Sequence, residues 1–182
     1  MRIITNKKEA LDAVKEKGKA LEYASKELKN DKEVVLEAIK QNGGALSYAS
    51  KELKTNKEVV LAAIKQDIVA LAFANKELRN DKEIVLDVVK KYGSSLRYAS
   101  EELQNDKEVV LEAIKQNGMA LEYASSELRQ DKDCLYEIKN FLMEKKSRFP
   151  KEYEILIKYE REDELKENLD EKDKSTKIRK KV

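Results

Sequence analysis

The feature that most constrains this chain is repetition at a step of 25 residues. Leu11, Leu36, Leu61, Leu86 and Leu111 fall in register, as do Tyr23, Tyr48, Phe73, Tyr98 and Tyr123. A fixed period of this size specifies an array in which each unit buries its apolar face only against its neighbours. Such chains bind more often than they catalyse. Because each unit is compared with the next inside one sequence, positions dictated by packing separate from positions that are free.

The second unit shows the pattern. Val34, Val35, Ala38 and Ile39 recur at helical spacing, which predicts a first helix over 31–43. Asn30 or Asp31 marks its start, Glu33 and Lys40 have the signs that the helix dipole favours, and Gly43 marks its stop. Glycine recurs at that stop as Gly18, Gly93 and Gly118, and fails at Ile68. Ala45, Leu46 and Ala49, extended by Tyr48 and Leu53, predict a shorter second helix. The invariant Ala24, Ala49, Ala74, Ala99 and Ala124 suggest a helix crossing where a larger side chain would overpack. With no strand-like alternation and one proline, the expected fold is all-α: a right-handed α-solenoid-like array of about 25-residue helical hairpins with a C-terminal helical cap. Five tandem hairpins are expected over 6–132 and capping helices over 133–169. A charged tail without ordered structure is expected over 170–182.

The string Asp31 to Gly43, followed by Ala45-Leu46-Ser47-Tyr48-Ala49-Ser50, resembles the tandem-repeat family called the 4116 domain of unknown function. The resemblance covers roughly Asn6 to Asp133 and returns in every unit, with a departure at Asp67-Ile68-Val69. It implies an α-helical repeat fold and carries no catalytic residue or partner with it.

Composition excludes several kinds of chemistry. The chain has 38 basic and 36 acidic residues, a formal net charge of +2, so no global field draws it to nucleic acid or an anionic membrane. It has no histidine, the commonest general base and metal ligand, and the single Cys134 can form neither an intrachain disulfide nor a thiolate cluster. Cys134 stands in register with Val34, Val59, Ile84 and Val109, so it reads as buried and inert. We therefore expect no catalytic residues, no metal and no cofactor. Residues 1–8 lack the apolar stretch of a signal peptide, and nowhere do about 18 apolar residues run together. A cytoplasmic protein without a membrane role is the expectation.

Three sets of residues invite a functional reading. The aromatic series reads mainly as packing, since Phe73 replaces a tyrosine without disturbing the motif, and a ligand-stacking ladder is the alternative. Lys26, Lys29, Lys51, Lys54, Lys76 and Arg79 line the turns after the second helices of the first three units. This is a candidate nucleic-acid edge, interleaved with Glu27, Glu52 and Glu77 and set against a solvated charged surface. The third set is apolar: Ile68, Val69 and Ala72 of the irregular third unit, with Tyr92 and Met119 near later inter-helix turns. An apolar patch in a charged array fits a protein-docking site; burial by local rearrangement of a unit that lacks its glycine fits equally. The leading expectation is a non-enzymatic protein–protein interaction module, an adaptor or a small inhibitor that occludes a larger complex. An RNA- or DNA-binding solenoid is the alternative.

Overall fold

The structure, a computed structural model, describes residues 2–144 together with Glu154, Ile157 and Lys158. The described residues form an all-α repeat array without strands; a single bridge joins Ile4 to Ala24. Six long helices stack in one row: α1 Lys7–Glu16, α2 Lys32–Gln41, α3 Lys57–Gln66, α4 Lys82–Val89, α5 Lys107–Gln116 and α6 Lys132–Glu144. Each of the first five leads into a six-residue 3₁₀ helix, and these form a second row. The core lies between the rows. Val34, Val35, Ala38 and Ile39 of α2 meet Ala45 and Leu46 of the 3₁₀ helix there, all essentially without solvent contact. Full burial of a side chain such as Leu46 contributes roughly 1.5–3 kcal/mol.

Local chemistry starts each long helix one residue later than Asn30 would. Asp31 is the cap, and its carboxylate accepts from the Glu33 and Val34 N–H groups. Asn6, Asn56, Asp81 and Asp106 repeat the role. The expected second helix divides in two. Gly43–Tyr48 is 3₁₀, Ala49 is extended at φ −64° and ψ 160°, and a new turn then begins, with the Ser50 hydroxyl capping the Leu53 N–H. The cause is a contact outside the unit. The Ser50 N–H donates to the Lys29 carbonyl of the preceding unit at 2.9 Å, and Asn75, Ser100 and Ser125 do the same with Lys54, Arg79 and Gln104. The chain must extend at each alanine to reach that partner. The invariant alanines are buried at these extended links, and not at a helix crossing as their constancy suggested. At the N-terminal end Ile4 supplies the carbonyl that a preceding unit would give, accepting from Ser25.

Glycine does not stop the long helices by turning left-handed. Among the described residues no glycine has positive φ, and the cap of α2 is the extended Asn42. What the position needs is space. A methyl group on Gly18 would lie 2.4 Å from the Ala38 carbonyl oxygen of the next unit. On Gly43 it would lie 2.5 Å from that of Ala63, and on Gly93 2.2 Å from that of Ala113. Each glycine therefore lets a 3₁₀ helix seat its backbone on the next long helix.

The helix α6 continues through Ile138 and Leu142, both fully buried, with no glycine stop. The remainder of the capping helices expected over 133–169 and the charged tail lie outside the described residues, apart from Glu154, Ile157 and Lys158, which are helical.

Candidate interaction site at the third joint

The joint between the third and fourth units departs from the others at both of its faces. Ile68 stands where Gly18, Gly43, Gly93 and Gly118 sit, and the residue opposite is Val88, where the first, second and fourth joints have Ala38, Ala63 and Ala113 and the fifth has Ile138. A side chain cannot occupy the 2.2–2.5 Å left at the glycine joints, so the two backbones stand apart. Consecutive long helices approach closely at the first, second and fourth joints, as does each 3₁₀ helix with the following long helix; α3 and α4, and Ile68–Phe73 and α4, largely lose that approach. The Val88 carbonyl, no longer faced by a glycine, accepts from both the Lys91 and Tyr92 N–H groups, at 3.1 and 2.9 Å. Helix α4 accordingly ends at Val89.

The opening is a wedge. At the N-terminal ends of the helices the joint remains tied: the Lys57 ammonium lies 3.0 Å from Asp81 and 3.8 Å from Glu83. On the opposite edge of the array, the Ser100 N–H still donates to the Arg79 carbonyl at 2.9 Å. The splayed C-terminal ends enclose a groove of about 230 Å³. Its floor is apolar, from Leu61, Ile64, Ile68, Ile84 and Val88, and Lys65, Asp87 and Lys91 rim it. Tyr92 stands at its mouth, 55% exposed. In the second, third and fifth units the equivalent cap residue, Asn42, Asp67 or Asn117, accepts the N–H two residues on. Tyr92 makes no such cap; the aromatic ring has replaced a structural hydrogen bond.

The structure divides the apolar candidates. Ile68 and Tyr92, which belong to different units, come together in the groove. Val69 and Ala72 are half-buried on the 3₁₀ helix Ile68–Phe73, and Met119 is half-buried on Gly118–Tyr123 two units along; none of the three lines the groove. Ile64, Val88 and Lys91 were not singled out by sequence reasoning, although Val88, like Ile138, is readable as a departure from its alanine register. One unit on from Ala72, in the same register, Arg97 lies over the Tyr98 ring at 4.6 Å and near the Tyr123 ring at 6.0 Å. The aromatic series itself is largely packing: Tyr48, Phe73, Tyr98 and Tyr123 rest half-buried against the core, and Tyr23 is exposed.

The basic edge is only partly a surface. Lys26, Lys51 and Lys76 are exposed, and Lys76 lies 3.8 Å from Glu102. Lys29, Lys54 and Arg79 are half-buried. Lys54 turns inward to donate to the Ser47 carbonyl at 2.7 Å, and burial pushes its ammonium below the usual range. Gln104, in the same register, donates to the Leu96 and Ala99 carbonyls. This register therefore caps the C-terminal ends of the 3₁₀ helices. The Nε of Arg79 is buried without a hydrogen-bond partner.

The invariant lysines form a ladder between units. Lys7 pairs with Asp31 and Glu33, Lys32 with Glu58, Lys57 with Asp81, Lys82 with Asp106 and Glu108, and Lys107 with Glu137. Partial burial alone would raise the Asp31, Asp81 and Asp106 carboxyls; the lysine bonds and the capping N–H groups outweigh it and hold all three below the ordinary range. Hydrogen bonds to those carboxylates raise Lys7, Lys57 and Lys82. Cys134 has no solvent contact, and burial pushes its thiol up.

A family model described as a domain of unknown function, DUF4116, matches residues 6–54, 56–104, 81–129 and 106–138. The chain belongs to the DUF4116 family. Each of the first three matches spans two adjacent units, so the DUF4116 model contains one joint as well as the hairpins. The third joint falls inside the match 56–104. No curated protein and no solved structure matches the chain. No helix among the described residues is long and apolar enough to cross a membrane.

Proposed function

We propose that this DUF4116 chain is a non-enzymatic helical-repeat module that binds another protein, acting as an adaptor or as a small inhibitor that occludes a larger complex. The observation that carries the reading is the third joint. At that joint the array gives up close glycine packing and a cap hydrogen bond, and gains an apolar groove with an exposed tyrosine at its mouth. Partly exposed aromatic and aliphatic side chains at a concave site are typical anchors of protein interfaces. Its volume of about 230 Å³ lies below the roughly 300–1,000 Å³ of small-molecule and cofactor pockets and suits a side chain.

Support for a non-catalytic role comes from what the reactive groups do. The one thiol is buried and raised, the reverse of a nucleophile. The repeated N-cap carboxylates Asp31, Asp81 and Asp106 are engaged in caps and ion pairs. Nucleic-acid binding along the basic edge loses support because Lys54 is spent on a carbonyl and the Arg79 Nε is buried.

Affinity capture from the native cell, with and without nuclease, tests the reading. Protein partners that survive nuclease, and that are lost from folded Tyr92→Ala or from Val69→Glu with Met119→Glu, are the expected result. Partners that vanish with nuclease, with a steep salt dependence abolished by Lys26→Ala, Lys51→Ala and Lys76→Ala, would replace it with nucleic-acid binding.

A further inference from the structure

The charge pattern around the groove differs from that at the ends of the second and fifth long helices. In the second and fifth units the last-turn lysine is paired three residues back, Lys40 with Glu37 at 2.8 Å and Lys115 with Glu112 at 2.6 Å. The third unit has Ala62 in that register, so Lys65 lacks the partner. In the fourth unit the carboxylate is the shorter Asp87, and a second lysine, Lys91, takes the place of Gln41, Gln66 and Gln116. Lys65, Lys90 and Lys91 are exposed and make no ion pair among the described residues. Two unpaired ammonium groups, Lys65 and Lys91, and one carboxylate, Asp87, thus rim the apolar floor, whereas at the helix starts Lys7 and Lys82 are each held by two carboxylates.

We propose that the groove at the third joint takes an acidic peptide segment of the partner, one bulky apolar side chain seated between Ile68 and Val88 and flanking Asp or Glu residues held by Lys65 and Lys91. This specifies the occupant of the interaction module proposed above and rests on that reading. The floor supplies burial for a single anchor, the kind of contact that dominates interface energies. Tyr92, half out of the protein, has the edge and hydroxyl to close over the anchor while staying wet. The lysines add selectivity and a faster encounter more than affinity, because exposed charges are screened at physiological salt. Asp87, on the same rim, disfavours an acidic residue directly over it, so the carboxylates belong on the Lys65 and Lys91 sides.

The experiment is selection of random twelve-residue peptides displayed on phage against the full chain, followed by titration of the enriched peptides as synthetic fluorescent probes. Enriched sequences are expected to carry one bulky apolar residue with acidic flanks. Their Kd should rise about tenfold or more on Tyr92→Ala, the typical scale for an anchor contact, and also on Lys65→Glu with Lys91→Glu. Lys15→Glu, the same charge reversal at a distant helix end, should leave it unchanged. Circular dichroism melting shows which variants are folded, and chemical shifts of Ile64, Ile68 and Val88 during titration locate the peptide if a variant is not. Neutral or basic flanks, or binding that survives both groove variants, would overturn the proposal. So would an oligouridylate that displaces the peptide and binds more tightly. Binding lost on Val69→Glu with Met119→Glu but not on the groove variants would retain the interaction module and remove this occupant. No enriched peptide at all would remove both.

Discussion

The second and third joints are built from the same parts and differ most at the facing pair where the two backbones meet. At the second, Gly43 lies against Ala63 with no room for a methyl group. At the third, Ile68 lies against Val88, the long helices splay, and a groove of about 230 Å³ appears. The ion pair at the helix starts is retained in both, Lys32 with Glu58 and Lys57 with Asp81, as is the backbone bond along the far edge, Asn75 to Lys54 and Ser100 to Arg79. The comparison teaches that the periodic charges and edge hydrogen bonds keep the units in register, while the glycine–alanine contact decides whether a joint is closed. A repeat array can therefore acquire a site by exchanging one contact without losing its order.

The largest expected effect comes from importing the third joint into the second. Gly43→Ile on its own drives a side chain into the Ala63 carbonyl and should cost about 3 kcal/mol, the upper range for overpacking a well-packed site, read from the urea midpoint. A loss under about 1 kcal/mol, the scale of a tolerated core change, would mean that the glycine contact does not hold the joint.

The next effect is a coupling at the third joint. Ile68→Gly removes floor and Val88→Ala removes the group facing it, and each should destabilise by roughly 1 kcal/mol. Together they permit the close seat of the other joints, so the double variant should be more stable than the sum of the singles by about 1 kcal/mol, the usual range for residues in contact. Strict additivity would break the pairing of these two positions.

The smallest effect sharpens the other half of the comparison. Asp81→Asn keeps a capping oxygen, as Asn56 does, but removes the charge facing Lys57. It should cost no more than the roughly 0–1 kcal/mol of an exposed pair. The pH dependence follows from the directions of the shifts. The Asp31, Asp81 and Asp106 carboxyls are held below their ordinary value, so their stabilisation is complete above about pH 3.9 and lost as pH falls through their folded values. Lys7, Lys57 and Lys82 are raised, so theirs is complete below about pH 10.4 and lost as pH rises through their folded values. Thermal melts across pH should show loss at both ends and a flat middle, with a shallower acid edge in Asp81→Asn. An acid edge of equal slope in that variant would show that the ladder does not contribute there.

Much of the fold was legible because it is local and repeated. Val34, Val35, Ala38 and Ile39 mark a helix by spacing alone, and their burial follows. The division of the second helix was not legible: Ala45, Leu46 and Ala49 fit an α-helix as well as a 3₁₀ turn, and what breaks it is the Ser50 bond to Lys29, about one full unit back in sequence. At the site, Ile68 and Tyr92 stood out as local exceptions. Val88 and Ala62 depart from their registers too, but their meaning lies in the residue each one faces or fails to pair with: Val88 matters opposite Ile68, and Ala62 matters for leaving Lys65 alone. The basic edge misled for a related reason, since a count of lysines does not say that Lys54 points inward to a carbonyl.

The central claim is that the Ile68 and Val88 pair alone holds the third joint open. A crystal structure of the full chain carrying Ile68→Gly and Val88→Ala tests it most directly. The predicted result is a closed joint, with residue 68 seated on the carbonyl of residue 88 as Gly43 is seated on Ala63 and the groove gone. A groove of unchanged volume, with α4 still ending at Val89, would contradict the account.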